Sequence, residues 1–234
     1  MLLSAIYYKY ILQQPYYTNT ESLTYSTPPT VFKLEQELSD LNNLFSEDGI
    51  IGSLNWTYQI DIRPEKTFVR IFGCLQDEYL DTLEPQTALE DRHISSHTNI
   101  LNKENIYKKQ GILDDDANLC LYASLEIDHN HPQIIKSGRY DTRNLITGTG
   151  VTTRFYNALE EILARSGFTL LFGLNNSVNE DFYINKLHRI LFDDAPEHIQ
   201  AAIRPLLDAT EEKWFCTVKA LNPTGYGRSF HQVI

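Results

Sequence analysis

Two glycines beside an amphipathic segment are the feature of this chain that most directly suggests chemistry. Gly148 and Gly150 lie in the run Thr147-Gly148-Thr149-Gly150. A tight glycine turn that opens a helix presents several unpaired backbone N–H groups at the positive end of the helix dipole. Because such a turn suits a phosphate group, the first hypothesis is a phosphorylated cofactor. A glycine turn that merely fits a helix against a sheet is the structural alternative.

The segment after the turn has the spacing of an amphipathic helix. Apolar residues recur at intervals of three or four positions, which places them on one helix face: Val151, Phe155, Ala158, Leu159, Ile162 and Leu163. The charged residues are expected elsewhere on the helix surface: Arg154, Glu160, Glu161 and Arg165. Gly167 is a stop signal, and the apolar run 168–174 favours a buried strand. The predicted local order is strand, phosphate turn, helix, strand.

Two polar residues follow that predicted strand at a definite interval. Asn176 comes first, and Tyr183, preceded by Phe182, comes seven residues later. From the glycine turn through these residues to Leu187, about the last half of the chain resembles the GNAT superfamily of acyl-CoA-dependent N-acyltransferases. In that family a Gln/Arg-x-x-Gly-x-Gly/Ala loop opens the central helix and binds the CoA pyrophosphate. An Asn then precedes, by seven residues, the Tyr of a Leu-Tyr-x-x-Leu-Gly-Phe-like element.

The resemblance implies a co-substrate and an acceptor. The co-substrate is acetyl-CoA or another acyl-CoA, and the acceptor is a primary amine on a small molecule or peptide. The residues implied in CoA binding are Arg143, Gly148, Thr149, Gly150, Val151, Thr152, Arg154 and Asn176. The two arginines are included for their charge, because Leu145 stands where the family usually has Gln or Arg. His188 replaces the Gly that usually follows Leu187.

The reaction implied is direct attack of a neutral amine on the thioester. Tyr183 holds the position that the family uses to protonate the leaving thiolate, and its hydroxyl is a weak acid suited to that step. An aromatic side chain that only packs on the neighbouring helix is the alternative. Glu126 is the candidate general base, since alternation places it and Asp128 on one face of the predicted strand 118–128. A chain of water molecules could serve instead.

Other functions remain open on the same scaffold. The first is a GNAT-like decarboxylase or a carrier-protein-dependent acyltransferase. Leu145, in place of the usual Gln or Arg, weakens the expected contacts to the CoA pyrophosphate and is compatible with these alternatives. The second is a non-catalytic module that binds CoA or a partner. Acceptor specificity is expected in the N-terminal half and in an inserted amphipathic segment, 195–207, which lies between predicted strands at 189–192 and 214–221.

A metal site and a disulfide framework are both disfavoured. Asp128, His129 and His131 form a possible cluster, but two histidines in a proline-containing turn usually lie on a surface loop, and no further ligand has a persuasive spacing. We therefore predict no metal. The three cysteines, Cys74, Cys120 and Cys216, have no metal-ligand spacing and are expected to be small buried hydrophobes.

Composition excludes several classes of function. The net charge is −11, from 31 acidic and 20 basic residues, which disfavours nucleic acid as a partner. The acidic excess attracts cationic amines, or it only maintains solubility. No run approaches the roughly 18 apolar residues of a membrane span. The first residues lack the pattern of a secretory signal, so a cytoplasmic location is expected; the oligomeric state is left open.

The 234 residues are predicted to form one α/β domain with a mixed, mainly antiparallel sheet flanked by helices. The resemblance implies that residues 116–234 form the acyl-CoA-binding GNAT-like core and that residues 1–115 form an elaborated N-terminal half of the same domain. Part of the first 30 residues is predicted to form an edge strand, followed by a helix over 31–45 and a hairpin of 55–62 with 67–75. A helix around 78–83 and a mobile segment come next. Strands are predicted over 118–128 and 133–143.

Overall fold

The structure, a computed structural model, describes residues 27–46, 49–75, 91–175, 179–207 and 215–221. Its described strands form one seven-stranded sheet of order β1-β2-β3-β4-β5-β7-β6. The strands are β1 (Leu54–Ile62), β2 (Lys66–Leu75), β3 (Asn118–Asp128), β4 (Ile134–Thr142), β5 (Leu170–Asn175), β6 (Ile190–Leu191) and β7 (Phe215–Ala220). Only β4 and β5 are parallel neighbours. The prediction of a mixed, mainly antiparallel sheet is therefore confirmed.

Helices cover both faces of this sheet. They are α1 (Pro29–Leu38), α2 (Leu41–Phe45), α3 (Gly49–Gly52), α4 (Asp91–Lys109), α5 (Val151–Arg165) and α6 (Glu197–Ile203). Parallel strands need a crossover connection, and α5 supplies it between β4 and β5. None of the described helices is long and apolar enough to cross a lipid bilayer.

Two hydrophobic layers fix the positions of these helices. On one face, Leu34 of α1 and Phe155 of α5 pack with Leu125 of β3. On the other face, Ile100 of α4 packs with residues of β2 and β3, and Ile203 of α6 packs with residues of β4, β5 and β7. Strand alternation sends successive side chains to these two layers. Helix α5 and its glycine turn therefore belong to the face that carries α1.

The predicted helix over 31–45 is two helices instead of one. Helix α1 ends at Leu38 and α2 begins at Leu41. The hydroxyl of Ser39 donates to the carbonyl of Gln36 at 2.7 Å, and the side-chain amide of Asn43 donates to Asp40 Oδ1 at 2.6 Å. Short polar side chains that bond locally compete with helix continuation, which accounts for the break.

The prediction of a mobile segment before Asp116 is wrong, because α4 occupies much of it. Ile100 is fully buried, and a carboxylate oxygen of Glu104 accepts the backbone N–H of Leu119 at 2.7 Å. Helix α4 has few apolar residues, so its periodicity was weak, and tertiary contacts hold it in place. The helix predicted around 78–83 and the first 26 residues lie outside the described residues. Cys74 and Cys120 are buried as predicted, whereas Cys216 is half-buried.

Candidate active site

The glycine turn has a backbone that only glycine adopts readily. Gly148 has φ 79° and Gly150 has φ 82°, both in the left-handed region. A short 3-10 turn, Asn144–Ile146, precedes them. The hydroxyl of Thr149 donates to the Ile146 carbonyl at 2.7 Å, which closes the turn. The predicted helix follows at once, since α5 begins at Val151.

Several backbone N–H groups of the turn have no acceptor in the part of the chain that the structure describes. The N–H of Val151 donates to Thr149 Oγ1 at 3.4 Å. Among the described residues no acceptor is found for the N–H groups of Gly148, Gly150, Thr152 and Thr153. Helix α5 has no side-chain cap and no acidic residue in its first turn. Four free donors at a positive helix end make a site suited to an anion.

The two arginines predicted to assist this turn have different surroundings. Arg143 Nη1 lies 3.6 Å from Glu104 Oε2 of α4 and donates to Asn118 Oδ1 at 3.4 Å. Its carbonyl accepts the Ile146 N–H at 3.2 Å, so Arg143 supports the turn through its backbone. A phosphate would have to compete with Glu104 for its side chain. Arg154 is exposed on the first turn of α5, and Asn176 lies outside the described residues.

Beside the turn, the sheet divides between its two parallel strands. Pairing of β4 with β5 covers Ile134–Ser137 and Leu170–Gly173. Strand β4 continues to Thr142 and β5 continues to Asn175, without further pairs between them in the described part of the chain. The strands therefore separate toward their carboxyl ends, which is the end at which the glycine turn lies. We call this opening the split.

A bulge in β4 marks the start of the split. The register with β3 shifts, so that Leu125 is opposite Ser137 and Ala123 is opposite Tyr140. Such a bulge bends the strand. A Cβ at Gly138, within the bulge, would come 2.6 Å from Ser124 Oγ. Glycine at this position thus permits the close approach of β3 and β4 where β4 turns away from β5.

Tyrosines from three elements meet on the α5 side of the split. The rings of Tyr140 and Tyr156 have centroids 4.6 Å apart, and Tyr183 lies 6.3 Å from Tyr156. Tyr183, 9% exposed, is on a π-helical turn, Phe182–Lys186. Burial raises the pKa of Tyr140 and of Tyr156, and the nearby Tyr183 raises both further. These two phenols therefore stay protonated at neutral pH and can donate hydrogen bonds.

A buried ionic cluster lies beneath the tyrosines. Arg189 Nη2 is 3.1 Å from Glu160 Oε1, and the two side chains are 0% and 6% exposed. Lys219 Nζ, from β7, pairs with the second carboxylate oxygen of Glu160. Lys219 also donates to the carbonyl of Leu187 at 2.8 Å. The cluster ties α5, the segment after the π-helical turn and β7 together around one carboxylate.

The prediction that Glu160 lies on the helix surface is wrong. Glu160 is 5% exposed because its partners, Arg189 and Lys219, reach it from 29 and 59 residues further along the chain. One signal in the sequence was available: Glu160 is four residues after Tyr156 and directly after Leu159, both of which lie on the buried side of α5. The partners themselves could not be recognised from local spacing.

The guanidinium of Arg189 also touches the point where the strands separate. Its Nη1 is 3.5 Å from Ser137 Oγ and 3.4 Å from the position that a Cβ on Gly173 would take. Its Cζ lies 5.4 Å and 5.2 Å from the ring centroids of Tyr156 and Tyr183. A cation over an aromatic face is attracted by the ring quadrupole. Arg189 therefore places positive charge next to Tyr183 at the narrow end of the split.

The structure does not bring Glu126 and Tyr183 together. Leu125 and Ile127 of β3 belong to the core layer under α5, so alternation directs Glu126 to the opposite face of the sheet. Glu126 Oε1 accepts a hydrogen bond from Lys66 Nζ at 2.6 Å. Tyr183, in contrast, packs against Tyr156 of α5. The two predicted catalytic residues thus belong to different faces.

Glu126 lines a shallow groove that adjoins the split. The groove is lined by Lys66, Glu126, Asp128, Ile134, Lys136, Phe172 and Leu206. Lys136 and Phe172 directly precede Ser137 and Gly173, the last pair of β4 and β5. The groove therefore reaches the narrow end of the split from the face opposite α5, and Leu206 brings part of the inserted segment 195–207 to its edge.

Hydrogen bonds of His129 tie the turn after β3 to the hairpin of β1 and β2. The imidazole nitrogens of His129 lie 2.8 Å from Thr67 Oγ1 and 3.1 Å from the Pro64 carbonyl. Both ring nitrogens are thereby engaged. Over the ranges that the structure describes, no three His, Cys, Asp or Glu side chains are grouped so as to hold a metal ion.

No protein-family model and no curated protein matches the sequence. Among solved structures, the chain is similar to Tetrahymena GCN5, with 9% identity over 59% of this chain and 94% of that chain and a TM-score of 0.39. It is similar to N-acetylglutamate synthase from Neisseria gonorrhoeae complexed with coenzyme A and N-acetyl-glutamate, with 16% identity, coverage of 60% and 35%, and a TM-score of 0.35. Nourseothricin acetyltransferase matches at 9% identity, coverage of 68% and 66%, and a TM-score of 0.33.

These identities and scores are low, so the likeness concerns the fold alone. The mixed sheet itself, with one parallel pair, a crossover helix and a glycine turn that opens it, agrees with the architecture that the sequence resemblance implies. The described residues thus form an α/β fold with a mixed, mainly antiparallel sheet, which is consistent with a GNAT-like fold.

Proposed function

We propose that the chain transfers an acyl group, acetyl or longer, from acyl-CoA to a primary amine. The observation that carries this proposal is the group of four N–H donors, at Gly148, Gly150, Thr152 and Thr153, for which the described residues provide no acceptor. They lie at the end of β4 where it has separated from β5, and Arg189, which contacts Ser137 at the narrow end of the split, lies 5.2 Å from the ring centroid of Tyr183. An anion site joined to a lined opening fits a ligand that has a diphosphate at one end and a reactive group at the other.

In the proposed complex the CoA diphosphate occupies the glycine turn, and the pantetheine arm follows the split toward Tyr183. Arg154 is exposed near the turn and adds positive charge. From the bulge onward, the edge of β4 that faces β5 has no strand partner in the described residues. Backbone groups on that edge supply hydrogen bonds to the amides of the arm, in the manner of an added strand.

The chemistry is addition followed by elimination. A neutral amine attacks the thioester carbonyl, a C–N bond forms, and the C–S bond then breaks. The amine loses one proton, and the departing thiolate gains one from Tyr183. The guanidinium of Arg189, 5.2 Å from the Tyr183 ring centroid, stabilises the negative charge that develops in this region.

The amine reaches the thioester from the groove on the other face. Glu126 lines that groove and is assigned the acceptance of the amine proton, directly or through water. Its ion pair with Lys66, at 2.6 Å from Oε1 to Nζ, holds the carboxylate in position at the edge of the groove. Under this assignment the acceptor and the acyl donor approach the narrow end of the split from opposite faces of the sheet.

The proposal is tested in two steps on the full chain. Mass spectrometry of the protein purified under non-denaturing conditions is expected to show a bound CoA species. Release of free thiol from acetyl-CoA and longer acyl-CoA is then followed with a panel of amines. Thiol release that depends on an amine supports the proposal, whereas binding of CoA without turnover on any amine favours a non-catalytic module.

A second comparison separates the remaining alternatives. If acyl transfer occurs from an acylated carrier protein but not from acyl-CoA, the chain is a carrier-protein-dependent acyltransferase. Loss of CO₂ from a malonyl thioester without an amine identifies a decarboxylase. Absence of CoA binding and of all three activities contradicts the proposed function.

A further inference from the structure

The hydroxyl of Tyr140 is a polar group that the chain buries without a partner. Among the described residues its Oη is the one buried side-chain nitrogen or oxygen that makes no hydrogen bond. An unsatisfied buried hydroxyl costs free energy, so such groups are rare and need an explanation. Neither packing nor the ionic cluster beneath the tyrosines explains this one, since Tyr140 does not contact Glu160, Arg189 or Lys219 through a hydrogen bond.

The position of this hydroxyl is specific. Tyr140 belongs to the part of β4 beyond the bulge, where β5 no longer pairs with it. Its ring packs on Tyr156 at 4.6 Å and on Phe155 at 6.2 Å. The hydroxyl is near Thr152, on the first turn of α5, and near Tyr183. It therefore lies between the anion site of the glycine turn and the predicted proton donor.

The chemistry of this hydroxyl is that of a donor. Burial, which is the largest effect, raises the pKa of Tyr140; the side chain of Thr152 has the next largest effect and lowers it, and Tyr183 and Asp141 raise it by smaller amounts. The phenol is accordingly protonated across the neutral range. A protonated phenol without a partner has one O–H to donate, and the acceptors of an acyl-pantetheine chain between its diphosphate and its sulfur include two amide carbonyl oxygens.

We infer that Tyr140 Oη donates a hydrogen bond to an amide carbonyl oxygen of the pantetheine arm of CoA. This inference rests on the proposed function, because it takes CoA as the ligand of the split. It makes Tyr140 a binding residue that no pattern in the sequence indicated. In the unliganded protein the rings of Phe155 and Tyr156 pack against Tyr140 and fix its position, and the ligand provides the hydrogen-bond acceptor that its hydroxyl lacks.

The test is Tyr140→Phe, which removes one oxygen and keeps the ring. Isothermal titration calorimetry with CoA, acetyl-CoA and ADP separates the contribution of the pantetheine arm from that of the diphosphate, because ADP has the diphosphate and lacks the arm. The dissociation constants of CoA and acetyl-CoA are expected to rise about two- to tenfold, as for loss of one hydrogen bond, and that of ADP to stay unchanged. The Tm of the unliganded variant is expected to equal or exceed that of the wild type, because no bond is lost.

Tyr107→Phe is the matched control. Tyr107 Oη donates to Tyr122 Oη at 3.3 Å on the face that carries α4, so this hydroxyl does have a partner and lies outside the split. Its removal is expected to lower the Tm and to leave all three dissociation constants unchanged. Tyr107→Phe is therefore expected to lower the Tm without weakening ligand binding, whereas Tyr140→Phe is expected to weaken binding of CoA without lowering the Tm.

Each other outcome has a definite meaning. Unchanged affinity of Tyr140→Phe for CoA overturns the inference, and weaker binding of acetyl-CoA alone overturns the assignment to the arm in favour of the thioester. If the dissociation constant of ADP rises as much as that of CoA, the substitution has disturbed the glycine turn, and this result also overturns the inference. If the wild type binds none of the three ligands, the proposed function fails instead, so the two failures are distinguishable.

Discussion

Arg189 and Glu160 form an ion pair that is almost completely removed from solvent, with 3.1 Å between Nη2 and Oε1. Both groups are buried at the centre of the tyrosine cluster, and Lys219 shares the carboxylate. Two cations thus face one anion. The surplus positive charge lies beneath Tyr183, which is where the proposed reaction generates negative charge.

Glu160→Ala should destabilise the protein strongly, since it leaves Arg189 buried without a counter-charge. Breaking one partner of a buried pair costs about 3–5 kcal/mol. Urea unfolding measures the change. The control is Glu161→Ala: this neighbour is 60% exposed and 4.0 Å from Arg165, so its removal should change stability by less than about 1 kcal/mol. Equal losses in the two variants would contradict the buried pair.

Gly150→Asp should abolish the rise in melting temperature that acetyl-CoA produces. The substitution adds a carboxylate beside the N–H donors of the turn and strains a backbone at φ 82°. Gly111→Asp is the matched control, because Gly111 also has positive φ and open space around its Cα. It should reproduce the strain and keep the ligand-induced shift. A normal shift in Gly150→Asp would place the cofactor elsewhere.

Tyr183→Phe should keep CoA affinity and lower turnover. The variant loses one hydroxyl and retains the ring that packs on Tyr156 and Phe182. Loss of a general acid costs roughly a hundredfold or more in rate. Single-turnover kinetics at saturating acyl-CoA isolate this step from product release. A rate within about twofold of the wild type would mean that the hydroxyl of Tyr183 is structural and that water protonates the thiolate.

Acylation should become faster as pH rises from about 6 to 9, because the amine must be neutral to attack. The buried tyrosines do not contribute to this profile, since the pKa values of Tyr140 and Tyr156 are raised further above that range. The net charge of −11 attracts cationic acceptors, so KM should worsen with added salt. Steady-state kinetics at several ionic strengths check this. A KM indifferent to salt, together with a preference for anionic acceptors, would refute it.

Stability should decline in alkaline solution as two buried thiols are forced to ionise. Burial raises the pKa of Cys74 to about 12 and of Cys120 to about 11, from 9.0. The pKa of each thiol is higher in the folded protein than in the unfolded chain. The stability that the protonated thiols contribute is therefore fully present below pH 9.0 and is lost as the pH rises toward the folded pKa values. Between the unfolded and folded pKa values, each thiol lowers the free energy of unfolding by up to about 1.4 kcal/mol per pH unit. Urea unfolding of Cys74→Ala between pH 8 and 10.5 should show a shallower decline than the wild type.

Local patterns in the sequence predicted the parts of the site that are close together in the chain. The glycine turn, helix α5 and the strands on either side all lie within residues 134–175, so their local spacing was sufficient. The ionic cluster was not predictable, because Arg189 and Lys219 reach Glu160 only after the whole sheet has formed. Tyr140 was missed for a related reason: an absent hydrogen bond has no signature in sequence.

The separation of Glu126 from Tyr183 illustrates the same limit. Alternation correctly indicated that Glu126 and Asp128 share a face of β3. Which face that was depended on where α5 packs, and the packing of Leu125 and Ile127 under α5 decided it. Helix α4 was missed because its stability comes from contacts with β2 and β3 and not from its own periodicity.

Strand β7 lies between β5 and β6, although it follows both in the chain. During synthesis on the ribosome, β5 and β6 therefore emerge before the strand that joins them, and neither can complete its edge alone. Lys219, carried by β7, arrives after Glu160 and Arg189 have been made. A nascent chain that ends before β7 has an unfinished sheet edge and a carboxylate with one of its two cations. Pairing of β7 with its neighbours therefore also brings the second cation to the carboxylate beneath Tyr183.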